Sequence, residues 1–494
     1  MQFQYTSAHD NQHSSAKGLL TGTRTYLLDG SGHYTVTALY YDYRALLVQS
    51  RSINHLGGYD FTYNQYNFAG LLTQSHKEHS IPAQSTITEL YVYQYDRAGR
   101  LITTNYKLNN TPAVIVAANT YDELGRITEK KRHDNTDSEE FEYTIRNWPK
   151  RIKSGTFEQK LYYNDELPQG AVPCYNGNTA YSTWTYDNQT RGYKYYYDAL
   201  NRLTSAYYDL HDELFSYDKH GNIITLARMG NDGDMDNLQF DYTGNQIKWI
   251  YDDAGSYNIY NLKEYTERNN SWDNPGVEFF YDDNGNLVTD YDRDIVTIRY
   301  NLLNLPDTIQ FRNGNQIVHR YDASGRRLST RYVTIYFQLA QPLNQGEVVS
   351  GIDVCYEDNV SIVGNDYVEN IEYYTARYFD YDLSEVPVES YLANKIYFDQ
   401  GYIQGFRLVH STPRYYYFRH DQLGNIREVW AAAYIHNGNP RPAATVQRIQ
   451  YYPSGLPWNN NDTYSPIGQN RKYNGKEFVE MHGLDEYDSE ARWY

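Results

Sequence analysis

The sequence predicts an all-β protein in which tandem hairpins join into one long antiparallel sheet that coils into a spiral. Three observations predict this fold. Tyrosine makes up 57 of the 494 residues, a short Tyr-Asp phrase recurs along the chain, and polar and apolar residues alternate between its copies. Tyrosine favours half-buried pleated surfaces, and the 3.6-residue apolar spacing of a helix is poor throughout.

The recurring phrase starts with Tyr-Asp, reaches Gly or Asn after two variable residues, and ends with an aliphatic residue. Clear copies, such as YDRAGRL, YDELGRI and YDDNGNL, begin at Tyr95, Tyr121, Tyr197, Tyr217, Tyr281 and Tyr321. Weaker copies begin at Tyr66, Tyr143, Tyr242 and Tyr300, and successive starts are mostly 19 to 26 residues apart. The chain therefore repeats one structural unit.

Each copy predicts a tight turn between two strands. Tyr ends a strand, Asp bonds to the backbone ahead of it, and Gly accepts the left-handed conformation that the turn needs. The aliphatic residue begins the return strand, and alternation follows, as in residues 287–300. The residues assigned to these turns are Tyr95, Asp96, Gly99, Tyr121, Asp122, Gly125, Tyr217, Asp218, Gly221, Tyr281, Asp282, Gly285, Tyr321, Asp322 and Gly325.

The hairpins are expected to pair edge to edge, because a lone hairpin is marginal in water and strand twist makes a long sheet coil. A β-propeller is the alternative. Its blades would need a regular period of about 40 to 50 residues, so the shorter and drifting period favours the coiled sheet.

The charge balance argues against nucleic acid as a partner. Lys and Arg total 44 against 62 Asp and Glu, for a formal net charge of −18, so a phosphate backbone would be repelled. No stretch approaches the roughly 18 apolar residues of a membrane span, and the first residues lack the pattern of a signal peptide.

Catalytic and cofactor motifs are absent from the sequence, so we expect neither an enzyme nor a bound cofactor. There is no GxSxG elbow and no Cys context suited to nucleophilic catalysis. His420 beside Asp421 could do acid–base work, but a hairpin turn is the favoured interpretation. A weak calcium candidate, weighed against a solvated turn at residues 231–237, consists of Asp232, Asp234 and Asp236.

The repeated YDxxGRL unit resembles the YD repeat of the Rhs family, whose relatives include insecticidal toxin complexes and teneurins. The stretch YYYFRHDQLGNIREVW resembles the family phrase YxxxDHLGSxRxVxD, although His and Asp are transposed here. Residues 470–494 resemble the signature of the RHS repeat-associated core. Residues 236–255 and 300–311 are similar to versions of the repeat seen in Bacteroidetes. The matching positions are Asp421, Leu423, Gly424, Asn425, Arg427, Gly475, Lys476, Glu477, Gly483, Leu484 and Arg492.

The resemblance implies a noncatalytic spiral or partial hollow shell that encloses or presents a C-terminal toxin or effector domain in interbacterial competition. It also implies secretion or display at the cell surface and an export-system component as a second partner. The family signature normally continues past the point where this sequence stops, so we expect a chain truncated at the core end and a passenger that lies outside the 494 residues.

Two alternatives remain open. Aromatic strands rich in Asn and Asp suit a surface or secreted glycan-binding adhesin, since ring faces stack on sugars while amides bond hydroxyl groups; buried Tyr ladders explain the same composition. An enzyme hidden in the β scaffold, using scattered His and Asp, is the third possibility.

The expected organisation has four parts. Residues 1–90 form an N-terminal β segment with weak repeats, and residues 91–335 form the spiral of regular repeats. Residues 336–400 are an acidic insertion or extra strands, and residues 401–494 are the core-associated segment. The stretch GKEFVEMHGL, residues 475–484, is the best candidate for a short helix.

Overall fold

The structure is a computed structural model that describes residues 16–208, 211–230, 233–254, 265, 277–336, 339, 341–349, 360–378, 388–406, 412–458 and 469–488. In these ranges the regular elements are β-strands and two single-turn 3-10 segments. No helix among the described residues is long and apolar enough to cross a bilayer. The predicted all-β class is confirmed.

The first sheet contains nineteen antiparallel strands, and each pairs with the next strand along the chain. The strands are β1 Gly22–Tyr26, β2 Tyr34–Tyr41, β3 Leu47–Ile53, β4 Tyr59–Tyr66, β5 Leu72–Ser80, β6 Ile87–Tyr95, β7 Leu101–Leu108, β8 Val114–Tyr121, β9 Ile127–Arg132, β10 Asp137–Tyr143, β11 Pro149–Ser154, β12 Phe157–Tyr162, β13 Tyr181–Tyr186, β14 Gln189–Tyr197, β15 Leu203–Tyr207, β16 Glu213–Tyr217, β17 Ile223–Gly230, β18 Gly233–Thr243 and β19 Gln246–Asp252.

Turns that follow even-numbered strands of this sheet lie along one rim, because strand directions alternate. We call this edge the turn rim; it includes the turns at residues 42–46, 67–71, 96–100, 122–126, 144–148, 198–202 and 218–222. At Tyr95 and Tyr121 the strand register shifts. Such bulges increase the local right-handed twist, so the same residue that opens a turn also helps the sheet to coil.

The second sheet contains thirteen strands, again paired in chain order. Its strands are β20 Phe279–Tyr281, β21 Leu287–Asp290, β22 Ile295–Tyr300, β23 Pro306–Phe311, β24 Gln316–Tyr321, β25 Arg327–Ile335, β26 Val360–Val368, β27 Ile371–Tyr378, β28 Val388–Phe398, β29 Gly401–Gln404, β30 Arg414–His420, β31 Ile426–Ala431 and, after the small hairpin of β32 Tyr434–His436 and β33 Asn439–Arg441, β34 Ala444–Arg448. Strands β26 to β28 extend this sheet, so residues 360–378 and 388–398 are extra strands.

The two sheets are connected by backbone hydrogen bonds at two places, one at each end of the first sheet. Glu278, which precedes β20, donates its backbone N–H to the carbonyl of Lys248 in β19 (3.0 Å). At the other end of the first sheet, Ala323 donates to the carbonyl of Tyr26 (2.7 Å), and Leu27 bridges Asp322. The edge strand β1 is therefore partly covered, which limits the pairing that an open edge invites.

The second sheet packs against one face of the first, which we call the inner face. One core cluster joins Ile87 and Tyr106 of the first sheet to Tyr373, Ile396 and Tyr417 of the second. Each of these side chains is at most 2% exposed. The wall that the tandem hairpins form is therefore lined by later strands of the same chain.

Further along the chain, residues after β34 continue this lining. Trp458 and Tyr452 pack on Trp184 of β13 and Tyr193 of β14, and the Tyr452 hydroxyl donates to the carbonyl of Met229 (2.7 Å). The fold-class prediction is confirmed: long antiparallel sheets of tandem hairpins coil around an interior, and the strands of the described residues do not close into a single ring.

The predicted helix at residues 475–484 is wrong. Two 3-10 segments, Tyr473–Gly475 and Met481–Gly483, flank strand β35 Glu477–Val479, which pairs with β36 Glu486–Asp488. Asn474 and His482 have positive φ values of 49° and 61°, which an α-helix cannot contain. An isolated helix of this length is marginal in water, whereas the hairpin satisfies backbone groups and buries Phe478.

Candidate functional site

The aspartate closes each Tyr-Asp turn. Asp96 Oδ1 accepts hydrogen bonds from the backbone N–H groups of Ala98 and Arg100, both at 2.9 Å, while its Oδ2 accepts one from Arg100 Nε (2.6 Å). Gly99 has a φ of +81°, a conformation that glycine adopts without strain. The carboxylate thus satisfies N–H groups that the ladder leaves free.

The turns are also tied to one another along the rim. Tyr95 donates its hydroxyl to the carbonyl of Leu72 in the preceding hairpin (2.7 Å). Arg100 donates from Nη1 to the carbonyl of Asp122 in the following turn (3.2 Å), and its guanidinium carbon lies 4.8 Å from the ring centroid of Tyr121. This copy of the phrase therefore contacts both the preceding hairpin and the following turn.

The other predicted turn residues occupy equivalent positions. The carboxylates of Asp122, Asp218, Asp282 and Asp322 accept the same backbone N–H bonds. Gly125, Gly221, Gly285 and Gly325 all have φ between +82° and +94°. Tyr121 and Tyr217 donate to carbonyls of the preceding hairpin, whereas Tyr281 is half-buried against the neighbouring core and Tyr321 is buried.

The arginine after the glycine is a partner that the sequence-predicted set leaves out. It pairs with the turn aspartate in the turns of Asp96, Asp122, Asp198 and Asp322. The signal was present in the sequence, because Arg recurs at the sixth position of YDRAGR, YDELGR, YDALNR and YDASGR. The backbone N–H of Arg100 and then its side chain lower the pKa of Asp96, and Arg126 does the same for Asp122.

Apolar side chains stand at the tips of several turns. Tyr43, Phe68, Leu124, Ile145 and Leu200 are all well exposed, and Ile145 is fully so. The turns of the rim are two strands apart, so their tips repeat at about 9 to 10 Å. The side chains at the tips therefore bury little of their surface, whereas the aspartates beneath them are less exposed.

The core-motif turn around Asp421 has the same geometry, but Asp421 and Asn425 at its base are buried. Asp421 Oδ1 accepts from the N–H groups of Leu423 and Asn425 (both 3.0 Å), and Oδ2 accepts from Asn425 Nδ2 (2.9 Å). Gly424 has a φ of +84°. Burial raises the pKa of Asp421 and lowers that of His420 to about 4. The arrangement is that of a turn, as the favoured interpretation predicts.

Arg427 connects this motif to the first sheet. Its Nη2 donates to Gln450 Oε1 (2.9 Å), which also accepts from Trp184 Nε1 (2.5 Å). The guanidinium carbon lies 5.0 Å from the centroid of the Trp184 ring. Asn425 Oδ1 accepts from the backbone of Asn474 (2.9 Å), so the two parts of the core signature also contact one another.

The C-terminal part of the core motif anchors the last described hairpin. Glu477 accepts from the Tyr367 hydroxyl (3.3 Å) and from Arg327 Nη2 (3.5 Å). Leu484 is buried in a cluster of the second sheet. The remaining predicted residues here are Gly475 and Gly483, which have positive φ, and Lys476, which ends a 3-10 turn. Arg492 lies outside the described residues.

Of residues 231–237, named as a calcium candidate and as a solvated turn, the structure describes residues 233–237, which belong to strand β18. Asp236 is buried in β18 and forms an ion pair with Arg228 (2.8 Å), while Asp234 is exposed on the same strand. Asp232 lies outside the described residues. Among those that are described, no cluster of three His, Cys, Asp or Glu side chains is arranged to hold a metal.

A buried ionic cluster joins the two sheets and was not predicted. Arg419 of β30 donates to Asp137 (2.6 Å) and to Glu428 (2.6 Å), while Arg132 donates to Glu139 (2.6 Å). These five side chains are at most 6% exposed. Their partners are up to 282 residues apart in sequence, so no local pattern marks them. We call this group the inter-sheet cluster.

A cavity of about 410 Å³ opens where the turn at residues 322–326 faces β26, β27 and the start of the C-terminal segment. Its lining includes Arg326, Arg327, Glu372, Tyr397 and Arg471. Such a volume is within the range of small-molecule sites, about 300 to 1,000 Å³. The cavity was also not predicted, since its lining comes from four separate parts of the chain.

Comparisons with known proteins support the fold. No protein-family model matches the chain, and no curated protein matches it in sequence. The crystal structure of a TcdB2–TccC3–Cdc42 complex is similar over 96% of this chain, with a TM-score of 0.52 and 13% identity.

Two further solved structures align less well. A TcdB2–TccC3 crystal structure and a Photorhabdus luminescens Tc holotoxin pore each cover 94% of the chain, at 12% identity and a TM-score of 0.28. The chain spans 26% of the first matched chain and about 30% of the other two. The likeness of the first structure shows an Rhs-like β-shell fold and extends to the fold alone.

Proposed function

We propose that the chain is a noncatalytic β-shell scaffold that encloses or presents a C-terminal toxin or effector domain in interbacterial competition. The proposal includes secretion or surface display, with an export-system component as a second partner. The Rhs-like fold supports it, as does the continuity of the hydrogen-bonded wall, since a sheet paired strand by strand resists local opening.

The observation that carries the proposal is the anchoring of the C-terminal hairpin, β35–β36, to the wall. Tyr487 is buried and donates its hydroxyl to the carbonyl of Gly455 (3.0 Å), and Asp488 forms a buried ion pair with Arg327 of β25. Glu486 pairs with Arg293 (3.1 Å). A passenger that follows residue 494 would start six residues from these fixed points, so it would be held near the shell.

A fusion experiment tests this role. One small, protease-sensitive marker domain is attached after Tyr494, and the same domain is attached before Met1 as a matched control. We expect the C-terminal marker to be cleaved at least about tenfold more slowly, because it is held against the wall. Equal cleavage rates at the two ends, with the shell intact, would contradict the proposal.

A further inference from the structure

The exposed tips of the turn rim are arranged symmetrically about one point, which lies between Leu124 and Ile145. The strands of the first sheet follow chain order, so the tips lie along the rim in sequence order. The four central residues, all with exposed side chains, are in this order Glu123, Leu124, Ile145 and Arg146. The order across the centre is therefore acidic, apolar, apolar and basic.

The same symmetry continues farther from the centre when the turns are counted outward on each side. Phe68 and Leu200 are the apolar tips at the third position, and they are 97% and 69% exposed. Tyr43 and His220 place one exposed ring on each side at the fourth position. The rim thus carries apolar or aromatic groups at equal numbers of strands from its centre.

The second position on one side is a longer connection, residues 163–180, which joins β12 to β13. It is tied to both neighbouring turns. Arg146 Nη1 donates to the carbonyl of Tyr175 (2.9 Å), and Asn176 Nδ2 donates to Asn201 Oδ1 (2.7 Å). The connection adds four exposed side chains to the rim, which are Asp165, Glu166, Val172 and Tyr175.

The charges beside the apolar tips are of both signs, although the whole chain has a formal charge of −18. The turn aspartates are paired with arginines, as Asp96 is with Arg100. Arg97, the exposed tip at the second position on the other side, forms no ion pair within the part of the chain that the structure describes. The same is true of Glu123 and Arg146. A second copy, which most of an acidic surface repels, therefore meets complementary charges at this rim.

We propose that the turn rim is a homodimer interface, in which two copies pack rim to rim about a two-fold axis between Leu124 and Ile145. The axis reverses the rim of the second copy, so each contact occurs twice. Apolar tips then face apolar tips, and each acidic side chain faces a basic one. The facing pairs are Leu124 with Ile145, Glu123 with Arg146, Arg97 with Asp165, and Phe68 with Leu200.

The apolar area at the rim is sufficient for such a dimer. Six exposed side chains of about 100 Å² each supply roughly 600 Å² per copy, and the charged side chains between them add to it. A standard interface buries about 800 Å² per partner. The pairing does not involve a C-terminal passenger, so dimerisation and the scaffold role can fail separately. The six side chains are Phe68, Leu124, Ile145, Val172, Tyr175 and Leu200.

Sedimentation velocity of the full chain over about 0.1 to 100 µM tests the proposal. We expect a monomer–dimer equilibrium with a dissociation constant of about 50 µM or lower. Ile145→Asp should weaken dimerisation at least about tenfold, because it buries a charge at two symmetric contacts. Ile145 is fully exposed, so the change leaves the fold intact. A chain that stays monomeric at every concentration overturns the proposal. Flotation of that monomer with vesicles of phosphatidylcholine and phosphatidylglycerol would identify the rim as a lipid-binding surface instead.

A charge exchange tests the two-fold arrangement itself. Glu123→Arg and Arg146→Glu each place like charges opposite one another at two contacts, and each should weaken dimerisation about tenfold. The double variant restores opposite charges and should recover the affinity of the unaltered chain to within about threefold. Lys153→Glu is the matched control, because Lys153 is exposed near the end of β11 that lies away from the rim; this variant should dimerise as the unaltered chain does.

The outcomes of the exchange are distinct. Recovery in the double variant supports the pairing of Glu123 with Arg146 across the axis. A double variant that stays as weak as the single variants overturns the arrangement. A dimer that neither Ile145→Asp nor the single exchanges weaken is joined through another surface, which overturns the proposal as well.

Discussion

Replacing Arg419 by methionine should loosen the contact between the two sheets. The change removes hydrogen bonds to Asp137, Glu428 and the Thr156 hydroxyl while keeping much of the side-chain volume. It leaves two carboxylates in an interior where Asp137 is 6% and Glu428 0% exposed. Buried charges without a partner are costly.

The size of the effect follows from what remains in the inter-sheet cluster. Breaking a buried pair costs about 3 to 5 kcal/mol. Arg132 still lies 3.5 Å from Asp137, and Arg448 lies 3.4 Å from Glu428, so we expect the lower end, about 3 kcal/mol. At 1.4 kcal/mol per tenfold change, opening of the contact becomes about 100-fold more frequent.

Hydrogen exchange measured by mass spectrometry resolves such a local opening. Strands β9, β10, β30 and β31 should exchange about 100-fold faster in the variant, while β2 to β4 serve as an internal reference. Lys150→Met is the control, because Lys150 forms an exposed pair with Glu166 (3.9 Å), and such pairs contribute about 0 to 1 kcal/mol. If Arg419→Met exchanges no faster than Lys150→Met, the inter-sheet cluster does not hold the sheets together.

Three further predictions follow from the turns and the core. Asp322→Ala should cost about 1 to 3 kcal/mol in urea unfolding, because it removes a buried carboxylate and the hydrogen bonds that it accepts from the backbone N–H groups of Ser324 and Arg326. Leu302→Ser at an exposed tip should change stability by less than about 0.5 kcal/mol, and equal effects would contradict the role of the aspartate. Asp96 and Asp122 have lowered pKa values, so their contribution is present above the unfolded pKa of about 3.9 and is lost as the pH falls through the folded values. Thermal unfolding should therefore show lower stability at pH 3 than at pH 6. The difference between the two pH values should be smaller in an Asp96→Asn, Asp122→Asn double variant. An unchanged difference would mean that these two carboxylates do not contribute to stability. Trp458→Ala, which empties the contact with the first sheet, should cost about 3 to 5 kcal/mol by urea unfolding, and a loss below about 1 kcal/mol would mean that this contact does not stabilise the lining.

The sequence alone determined the repeating wall. The pattern of Tyr, Asp and Gly is local, because the aspartate bonds to residues only two and four positions ahead, and the same phrase therefore specifies the same turn wherever it occurs. Alternation then fixes which side chains share a face of each strand. The all-β class, the hairpin order and the positions of the turns needed nothing beyond these short-range rules.

Short-range rules failed where distant parts of the chain competed with them. Residues 475–484 have a helical composition, but pairing of Glu477–Val479 with Glu486–Asp488 supplied better partners. Residues 233–237 look like a polar loop, yet Asp236 is buried because Arg228 across the hairpin neutralises it. In both cases a tertiary partner, absent from the local pattern, decided the structure.

The tertiary structure alone decided that the second sheet lines the first. His79 reaches the hydroxyl of Tyr373 (2.6 Å) across 294 residues of sequence, and the lining of the cavity comes together in the same way. Such contacts depend on how far the sheet has twisted over many strands, a sum of small rotations that no single repeat encodes. The sequence thus specified each hairpin, while the accumulated twist and the packing of one sheet on the other specified the interior.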